Sequence, residues 1–289
     1  MSDFVRQQNN TCDFKTSDSW VILTPIEQSI KRKIEAVGVP LRDWDISIYR
    51  GVLTGCNEAF IITSEKREEI LANCKTEDER KRTAELIRPI LRGRDIKRYG
   101  YVDNGLYLIN THNGVRGRIP RIKIEDYPAV KAHLDQYWDR IATRADKGDT
   151  PYNLRNCAYL DLFFQPHICW KAVGRNLTFA IVPSGTFLTA PASFISADDK
   201  NDYILAFLCS KLGKYYIYQN SDTTGAGDIM LNIQSLIQFP IPPVTDRRIM
   251  ELCKEIQKNS SNDLQDKLDG LIYKSYGFNA EEIYEIERR

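Results

Sequence analysis

Apolar residues recur every three or four positions in several stretches of the chain, which is the spacing of an amphipathic α-helix. The first stretch follows Thr24 and Pro25, a pair typical of a helix start, and stops before Gly38. After the prolines at 240–243 the same spacing returns without alternation, so a helical element is predicted at the C-terminal end. The spacing predicts helices over residues 25–37, 65–73, 77–87, 127–144 and 199–216, and two or three helical pieces over 244–286.

Between these helices apolar and polar residues alternate, and a period of two is typical of a half-buried β-strand. Trp44, Ile46 and Ile48 give the clearest alternation, which Gly51 then interrupts. An apolar run at 20–23 is either a first strand or a tail. The other predicted strands cover residues 59–63, 106–111, 167–173, 177–182 and 186–189. This order of elements predicts an α+β fold, with a mixed or antiparallel β-rich body, peripheral helices and a C-terminal helical element.

Changes in this pattern divide the chain into three predicted parts. Residues 1–40 are polar and end in one helix, residues 41–243 carry the predicted strands, and residues 244–289 are helical. The 289 residues are 42% hydrophobic and 27% charged, which is ordinary for a folded globular chain. No apolar run approaches the roughly 18 residues that a membrane helix needs, so no membrane association is predicted.

The cysteine pattern and the absence of enzyme motifs narrow the function classes. The 7 cysteines include no CxxC pair, which is typical of free thiols in a reducing compartment and predicts a cytoplasmic protein. Cys157, His167 and Cys169 offer three zinc ligands, but no fourth follows at a usual spacing, so core positions explain them better. Phosphate-binding glycine motifs, HExxH and GxSxG do not occur. We therefore predict no catalytic residue and no metal site.

Positive charge is concentrated in one segment, although the whole chain has a net charge of only +1. Residues 80–123 contain 12 Lys and Arg against 3 Asp and Glu, with Tyr, His and Asn residues among them. Such cations bind phosphates, and neighbouring amides reach base edges. The alternative is an ordinary solvated basic face. The candidate DNA-contacting residues in this segment are Arg92, Arg94, Lys97, Arg98, His112, Asn113, Arg116 and Arg118.

The sequence Arg-Gly-Arg-Asp over residues 92–95 allows two interpretations. In the first, Asp95 forms an ion pair with one of the two arginines and holds the fold together. In the second, Arg92 and Arg94 together clamp a phosphate. Spacing alone does not separate these alternatives.

Three further segments offer the same polar chemistry on predicted loops. Residues 144–155 form one, residues 175–176 interrupt two predicted strands, and residues 219–228 are rich in small polar residues and glycine. Ordinary surface turns are the alternative interpretation. The candidate DNA-contacting residues in these segments are Lys147, Asn153, Arg155, Arg175, Asn176, Thr223 and Thr224.

Several blocks of the sequence carry a family resemblance. The first reads IYRGVLTGCNEAFII and the second IRPILRGRDIKRY. In chain order the blocks are 48–62, 87–99, 106–112, 151–159 and 268–283. Together they resemble the TaqI-like C-terminal specificity domain of type IIG restriction–modification enzymes, and residues 231–243 resemble the end of type I specificity subunits. The resemblance covers residues 20–289 in the order of the family.

This resemblance implies sequence-specific recognition of double-stranded DNA, which directs adenine-N6 methylation and cleavage by other domains. Those domains bind S-adenosylmethionine and Mg²⁺, and the Asn-Pro-Pro-Tyr motif of the methyltransferase is absent here, so we expect no cofactor in this chain. Residues 1–40 are then expected to lead from an upstream methyltransferase region and residues 41–243 to recognise the target. Residues 244–289 are expected to act as a spacer or docking element for the methyltransferase domain or subunit.

Two alternative functions stay open at this point. A stand-alone specificity subunit would use the same DNA-binding chemistry but recruit a separate methyltransferase and nuclease. A metal-dependent nuclease would need a cluster of carboxylates to hold Mg²⁺, and the scattered Asp and Glu residues suggest no such cluster.

Overall fold

The structure is a computed structural model that describes residues 23–288, so nearly all of the predicted run at 20–23 lies outside the described residues. Short 3-10 turns occur between the main elements. The α-helices of the described part are α1 Pro25–Val37, α2 Asn57–Phe60, α3 Ser64–Ala72, α4 Glu77–Leu86, α5 Pro128–Asp135, α6 Trp138–Ile141, α7 Asn201–Cys209, α8 Lys211–Asn220, α9 Ile233–Leu236, α10 Arg247–Lys258, α11 Asn262–Tyr276 and α12 Ala280–Glu287.

The strands are short and lie mostly between the helices. They are β1 Val39–Pro40, β2 Ser47–Arg50, β3 Ile61–Thr63, β4 Ile87–Leu91, β5 Ile96–Lys97, β6 Gly100–Tyr101, β7 Leu106–Ile109, β8 His167–Trp170, β9 Val173–Gly174, β10 Phe179–Val182, β11 Phe187–Leu188, β12 Ser193–Ser196, β13 Asp222–Thr223, β14 Ile229–Met230 and β15 Pro240–Ile241. The predicted α+β class is confirmed, and helices α10 to α12 confirm the C-terminal helical element.

Two four-stranded sheets lie in the larger compact unit, which comprises Asp45–Leu205 and Asp222–Ile233. One sheet has the order β10-β8-β12-β2, and all its pairs are antiparallel. The other has the order β11-β4-β7-β3, in which β11 and β4 run parallel and the remaining pairs are antiparallel. The sheets are thus mixed and antiparallel, as the sequence pattern predicts.

Aromatic side chains fill the core of this unit and connect the two sheets. Phe163 stacks on Phe187 of β11 with ring centroids 4.5 Å apart, and Phe194 of β12 lies 4.8 Å from Phe163. All three side chains are fully buried. Removing a large apolar side chain from water stabilises a fold by about 1.5–3 kcal/mol, so this cluster fixes the sheets that carry the loops described below.

The smaller compact unit comprises the described residues up to Trp44, Ala206–Ser221 and the chain from Gln234 onward. Its first helix begins as the sequence predicts, because the Thr24 hydroxyl accepts the Glu27 N–H at 3.3 Å and the Glu27 carboxylate accepts the Thr24 N–H at 2.7 Å. Near the other end of that helix, Lys33 forms a 2.7 Å ion pair with Glu282 of α12. Helices from both ends of the chain therefore share one unit. The predicted boundaries at residues 40 and 243 stay a prediction.

Two stretches predicted as single helices are each divided in the structure. Residues 127–144 give α5 and α6, and residues 199–216 give α7 and α8. The second break occurs at Ser210, whose hydroxyl accepts the Gly213 N–H at 2.9 Å and caps α8. A Cβ atom at Gly213 would lie 2.1 Å from the Phe207 carbonyl oxygen, so the sharp turn requires glycine there. Within residues 23–288 no helix is long and apolar enough to cross a membrane.

Acid is expected to destabilise the protein partly through His167, which lies fully buried between Phe163 and Phe194. Burial lowers the pKa of His167 to about 4. In the unfolded chain the pKa is about 6.5, so between these values the unfolded state binds the extra proton and stability falls as pH falls. The contribution lost is about 3 kcal/mol.

A His167→Phe variant tests this expectation, because it keeps the aromatic packing and removes the titrating group. Between pH 7 and pH 4 its free energy of unfolding, measured in urea, should fall by about 3 kcal/mol less than that of the unmodified chain. His112 and His133 are present in both proteins, so their contributions cancel. Equal acid losses in the two proteins would contradict the expectation.

Candidate nucleic-acid interface

A two-residue turn between β5 and β6 carries the most concentrated positive charge of the predicted site. Lys97 pairs with Gly100 across the hairpin, which leaves Arg98 and Tyr99 at its tip. Tyr99 adopts a left-handed φ of 64°, and its N–H donates to the Phe179 carbonyl at 2.8 Å, so the tip is fixed to β10. The side chains of Arg94, Lys97 and Arg98 are exposed. We call these three residues the basic hairpin.

The two interpretations of the Arg-Gly-Arg-Asp sequence apply to different arginines: Arg92 forms the ion pair, and Arg94 stays exposed. The Arg92 guanidinium donates two hydrogen bonds of 3.0 and 3.1 Å to the Asp95 carboxylate, and Asn104 donates to the same carboxylate at 2.9 Å. Burial by itself raises the pKa of Asp95, but the hydrogen bonds from Arg92 outweigh that effect and lower the pKa. Arg92 therefore holds the turn together, and Arg94 is the exposed cation of the pair.

A loop over residues 113–121 forms one wall of an open groove. Gly114 and Gly117 have left-handed φ values of 76° and 75°, and a Cβ at Gly114 would lie 2.5 Å from the Ile119 carbonyl oxygen. The loop and residues 156–158, with Asp149, enclose a volume of about 840 Å³. Polar and charged side chains alternate with apolar residues in the lining of the groove, and the Arg116 side chain is exposed there.

Ion pairs occupy the other two arginines of the groove. Arg118 lies 2.8 Å from Asp161 and also donates to the Ala158 carbonyl at 2.9 Å. Arg121 lies 3.0 Å from Asp149. These ion pairs are exposed, so each contributes little to the free energy of unfolding. They connect the loop over residues 113–121 to the residues that face it.

Residues 144–155 form the loop that faces this groove, and Asn153 of this loop is held by hydrogen bonds within the chain. Asn153 is buried, its amide donates to the Ile122 carbonyl at 2.9 Å, and its oxygen accepts the Thr150 hydroxyl at 2.7 Å. These hydrogen bonds organise the loop, and the DNA contact of Asn153 stays a prediction. Lys147 and Arg155 are exposed on the same loop, where Arg155 pairs with Asp146 at 3.0 Å.

His112 and Asn113 also form hydrogen bonds with other loop residues. His112 is half-buried, burial lowers its pKa, and its Nδ1 accepts the Gly114 N–H at 3.2 Å. Asn113 bonds to Asp149 and Asn156 across the groove. Both residues lie at the predicted site, but their present contacts position other groups.

The remaining predicted residues meet in a small three-stranded sheet of the order β13-β14-β9. Gly174 pairs with Ile229, which places Arg175 beside Asp228 at 3.6 Å. The Thr224 hydroxyl accepts the Asp228 N–H at 3.1 Å, so Arg175 and Thr224 lie at the same end of this sheet although 49 residues separate them. Asn176 and Thr223 are exposed beside them.

Backbone contacts connect these clusters and identify two cations that sequence reasoning missed. A Cβ built on Gly93 would lie 3.2 Å from the Lys171 Cβ, so Lys171 lies between the basic hairpin and the small sheet. Arg50 is exposed at the end of β2, and its carbonyl accepts the Tyr159 hydroxyl at 3.1 Å. Arg50 ends β2 and Lys171 follows β8, although the pattern predicts a strand that continues to residue 173. A cation at or near the end of a predicted strand is the signal that would have found them.

Within the described part of the chain, no three His, Cys, Asp or Glu residues are grouped in a way that would hold a metal ion. His167 and Cys169 belong instead to the buried β8 strand. The geometry of the exposed groups is that of a binding surface with fixed polar groups in a groove and cations around it.

No protein-family profile and no curated protein matches the sequence. Among solved structures, the chain is similar to the type IIL restriction–modification enzyme MmeI in complex with DNA, with a TM-score of 0.61 and 14% sequence identity. It is also similar to the type IIG restriction endonuclease BpuSI, with a TM-score of 0.56 and 13% identity. The match covers 86% of this chain and 35% of MmeI, and 91% of this chain and 31% of BpuSI.

The chain therefore has a fold found in part of restriction–modification enzymes, and it spans about a third of the length of these two proteins. At such low identities the similarity concerns the fold. The predicted relation to such enzymes is supported at that level, and the specific TaqI-like family assignment is taken up below as part of a proposal.

Proposed function

We propose that this chain is a DNA target-recognition domain of a restriction–modification enzyme, of the TaqI-like type that its sequence blocks resemble. The observation that carries the proposal is the grouping of exposed cations and amides, from segments far apart in sequence, on loops of a fold shared with MmeI, which was solved with DNA. In this function the chain binds double-stranded DNA and positions it for chemistry performed elsewhere.

In this proposal the exposed cations and the groove have different roles. Arg94, Lys97 and Arg98 bind phosphates, which set the register of the protein on the duplex without reading sequence. Arg175 extends this contact from the small sheet. The groove beside Arg116 faces base edges, because major-groove donors and acceptors are read by amides and guanidinium groups held at fixed positions.

The partners in this proposal are double-stranded DNA and a methyltransferase domain or subunit. The methyltransferase modifies adenine on N6, and other domains bind S-adenosylmethionine and Mg²⁺. The helices from Arg247 onward serve as the spacer that holds the recognition domain at a fixed distance from the target adenine, which must leave the base stack to react.

Selection of duplexes from a random pool tests the proposal directly. The full chain, at low salt, is expected to enrich one short sequence over several rounds, and its preference should persist as salt rises while total affinity falls. A chain whose basic hairpin is replaced by alanines is the control for electrostatic capture. Failure to enrich any sequence at low salt would overturn the proposed function.

A further inference from the structure

We infer that Asn156 donates a hydrogen bond to an acceptor on a base edge, and that Asn113 fixes the orientation of the Asn156 amide. Asn156 was not among the residues that the sequence pointed to. The inference rests on the proposed function and deepens it, since it names a specificity-determining residue and the class of base that it selects.

The orientation of Asn113 follows from a backbone group. The Asp149 N–H lies 2.9 Å from one side-chain atom of Asn113, and because an N–H needs an acceptor, that atom is Oδ1. The Asn113 Nδ2 group therefore points the other way, where it donates to the Asp149 carboxylate at 3.0 Å. A Cβ atom at Gly148 would lie 2.6 Å from Asn113 Oδ1, so the close approach depends on glycine.

The same Nδ2 group decides the orientation of Asn156. The Nδ2 group can only donate hydrogen bonds, so the Asn156 atom in contact with it must be the oxygen. Asn113 therefore donates to Asn156 Oδ1. The NH₂ group of Asn156 is then directed away from Asn113. Asn156 is exposed and lines the groove. Within residues 23–288 its NH₂ group donates no hydrogen bond.

Arg121 completes the arrangement by holding the far side of Asp149. The guanidinium lies 3.0 Å from Asp149 Oδ2, which leaves Oδ1 for Asn113. The Asn156 amide is thus positioned before any DNA binds, so little side-chain entropy is lost when it forms a contact.

A donor held in this way selects among bases by their acceptors. In the major groove guanine presents N7 and O6, adenine presents N7, and thymine presents O4, whereas the major-groove hydrogen-bonding group of cytosine is the N4 amino donor. Asn156 is therefore expected to accept guanine, adenine or thymine at one position of the contacted strand and to reject cytosine. A freely rotating asparagine would not make this distinction.

Base preference at each position of the selected site tests this inference. Asn156→Ala should lose roughly 10- to 100-fold discrimination against cytosine at one base pair, with the other positions unchanged. Asn156→Asp replaces the donor by an acceptor and should shift preference toward cytosine at that same base pair. Asn113→Ala should weaken the discrimination at that base pair and leave preference at the other positions unchanged, which a general loss of loop structure would not predict. Asn259→Ala, an exposed change between α10 and α11, is the matched control.

The outcomes separate this inference from the proposed function. If the unmodified chain enriches a sequence but Asn156→Ala and Asn156→Asp leave preference at every position unchanged, the inference is wrong and the proposed function stands. If the unmodified chain enriches no sequence, both are overturned. Loss of preference in Asn156→Ala and a shift toward cytosine in Asn156→Asp, both confined to the same base pair, support the assignment.

Discussion

Replacing Arg94, Lys97 and Arg98 together with alanine is expected to weaken binding to every duplex by about 500-fold at 0.1 M salt. Each phosphate contact releases counterions and contributes about 0.9 to the slope of log affinity against log salt, so three lost contacts lower the slope by about 2.7. All three side chains are exposed, on the turn that Tyr99 fixes to β10 or just before β5. Lys97 donates to the Arg94 carbonyl at 2.9 Å and the Arg98 guanidinium lies over the Tyr99 ring, but none of the three side chains belongs to the buried core. A salt titration of binding on the selected and a scrambled duplex measures both quantities.

The matched control for this variant lies at the start of α4, the helix that precedes β4. Lys75, Arg80 and Lys81 are exposed around the start of α4, and their replacement by alanine removes the same charge. We expect this second variant to keep nearly the full slope. If the two triple variants weaken binding equally, the effect is one of net charge and the basic hairpin is an ordinary solvated face. If the hairpin variant keeps the original slope, its cations do not contact phosphate.

Replacing Arg144 with methionine is expected to lower the free energy of unfolding by about 3–5 kcal/mol. Arg144 is buried at 6% exposure, with its guanidinium carbon 4.3 Å from the Phe60 ring centroid. It donates to the carbonyls of Thr54, Asp146, Pro151 and Asn153. Methionine fills a similar volume but leaves these carbonyls without their donor. Burial lowers the pKa of Arg144 to about 10, so the side chain is still charged at neutral pH.

Arg140→Met is the control for this second prediction. Arg140 pairs with Glu58 at 3.1 Å on the surface, where both side chains are more than half exposed, and its loss should leave stability nearly unchanged. Urea unfolding of the two variants gives the comparison. Equal stability of Arg144→Met and the unmodified chain would mean that water replaces the guanidinium at the four carbonyls. Because these carbonyls fix the loop opposite the groove, Arg144→Met should also broaden the base preference.

The regular elements were predictable because their signals are local. Thr24, Pro25 and Glu27 lie within one turn, and they form the helix start that their chemistry dictates. The alternation around Ile48 likewise marks β2, since a period of two is a property of neighbouring side chains along one strand. The cations of the basic hairpin were predicted from composition, but β5 and β6 were not predicted, because strands of two residues give no period.

The candidate site was predictable in composition but not in the roles of its members. Sequence spacing did not distinguish Arg92 from Arg94, whereas in the structure the buried Asp95 forms its ion pair with Arg92. Asn153 and Asn156 are both polar residues of one loop, yet the first is buried under three backbone carbonyls and the second is exposed. Such differences depend on which groups the fold brings against each side chain.

The sequence by itself determined the α+β class, the positions of most helices and of about half of the strands, and the segments where cations and amides concentrate. It missed β4 and β12, which are inner strands of the two four-stranded sheets. The properties that it determined depend on periodicity and on hydrogen bonds between residues a few positions apart. The tertiary structure alone decided that Asn113 meets Asn156, 43 residues later, and that Lys33 meets Glu282 across most of the chain. Contacts of that length carry no sequence periodicity, because they form only when packing of the whole core has fixed where each loop lies.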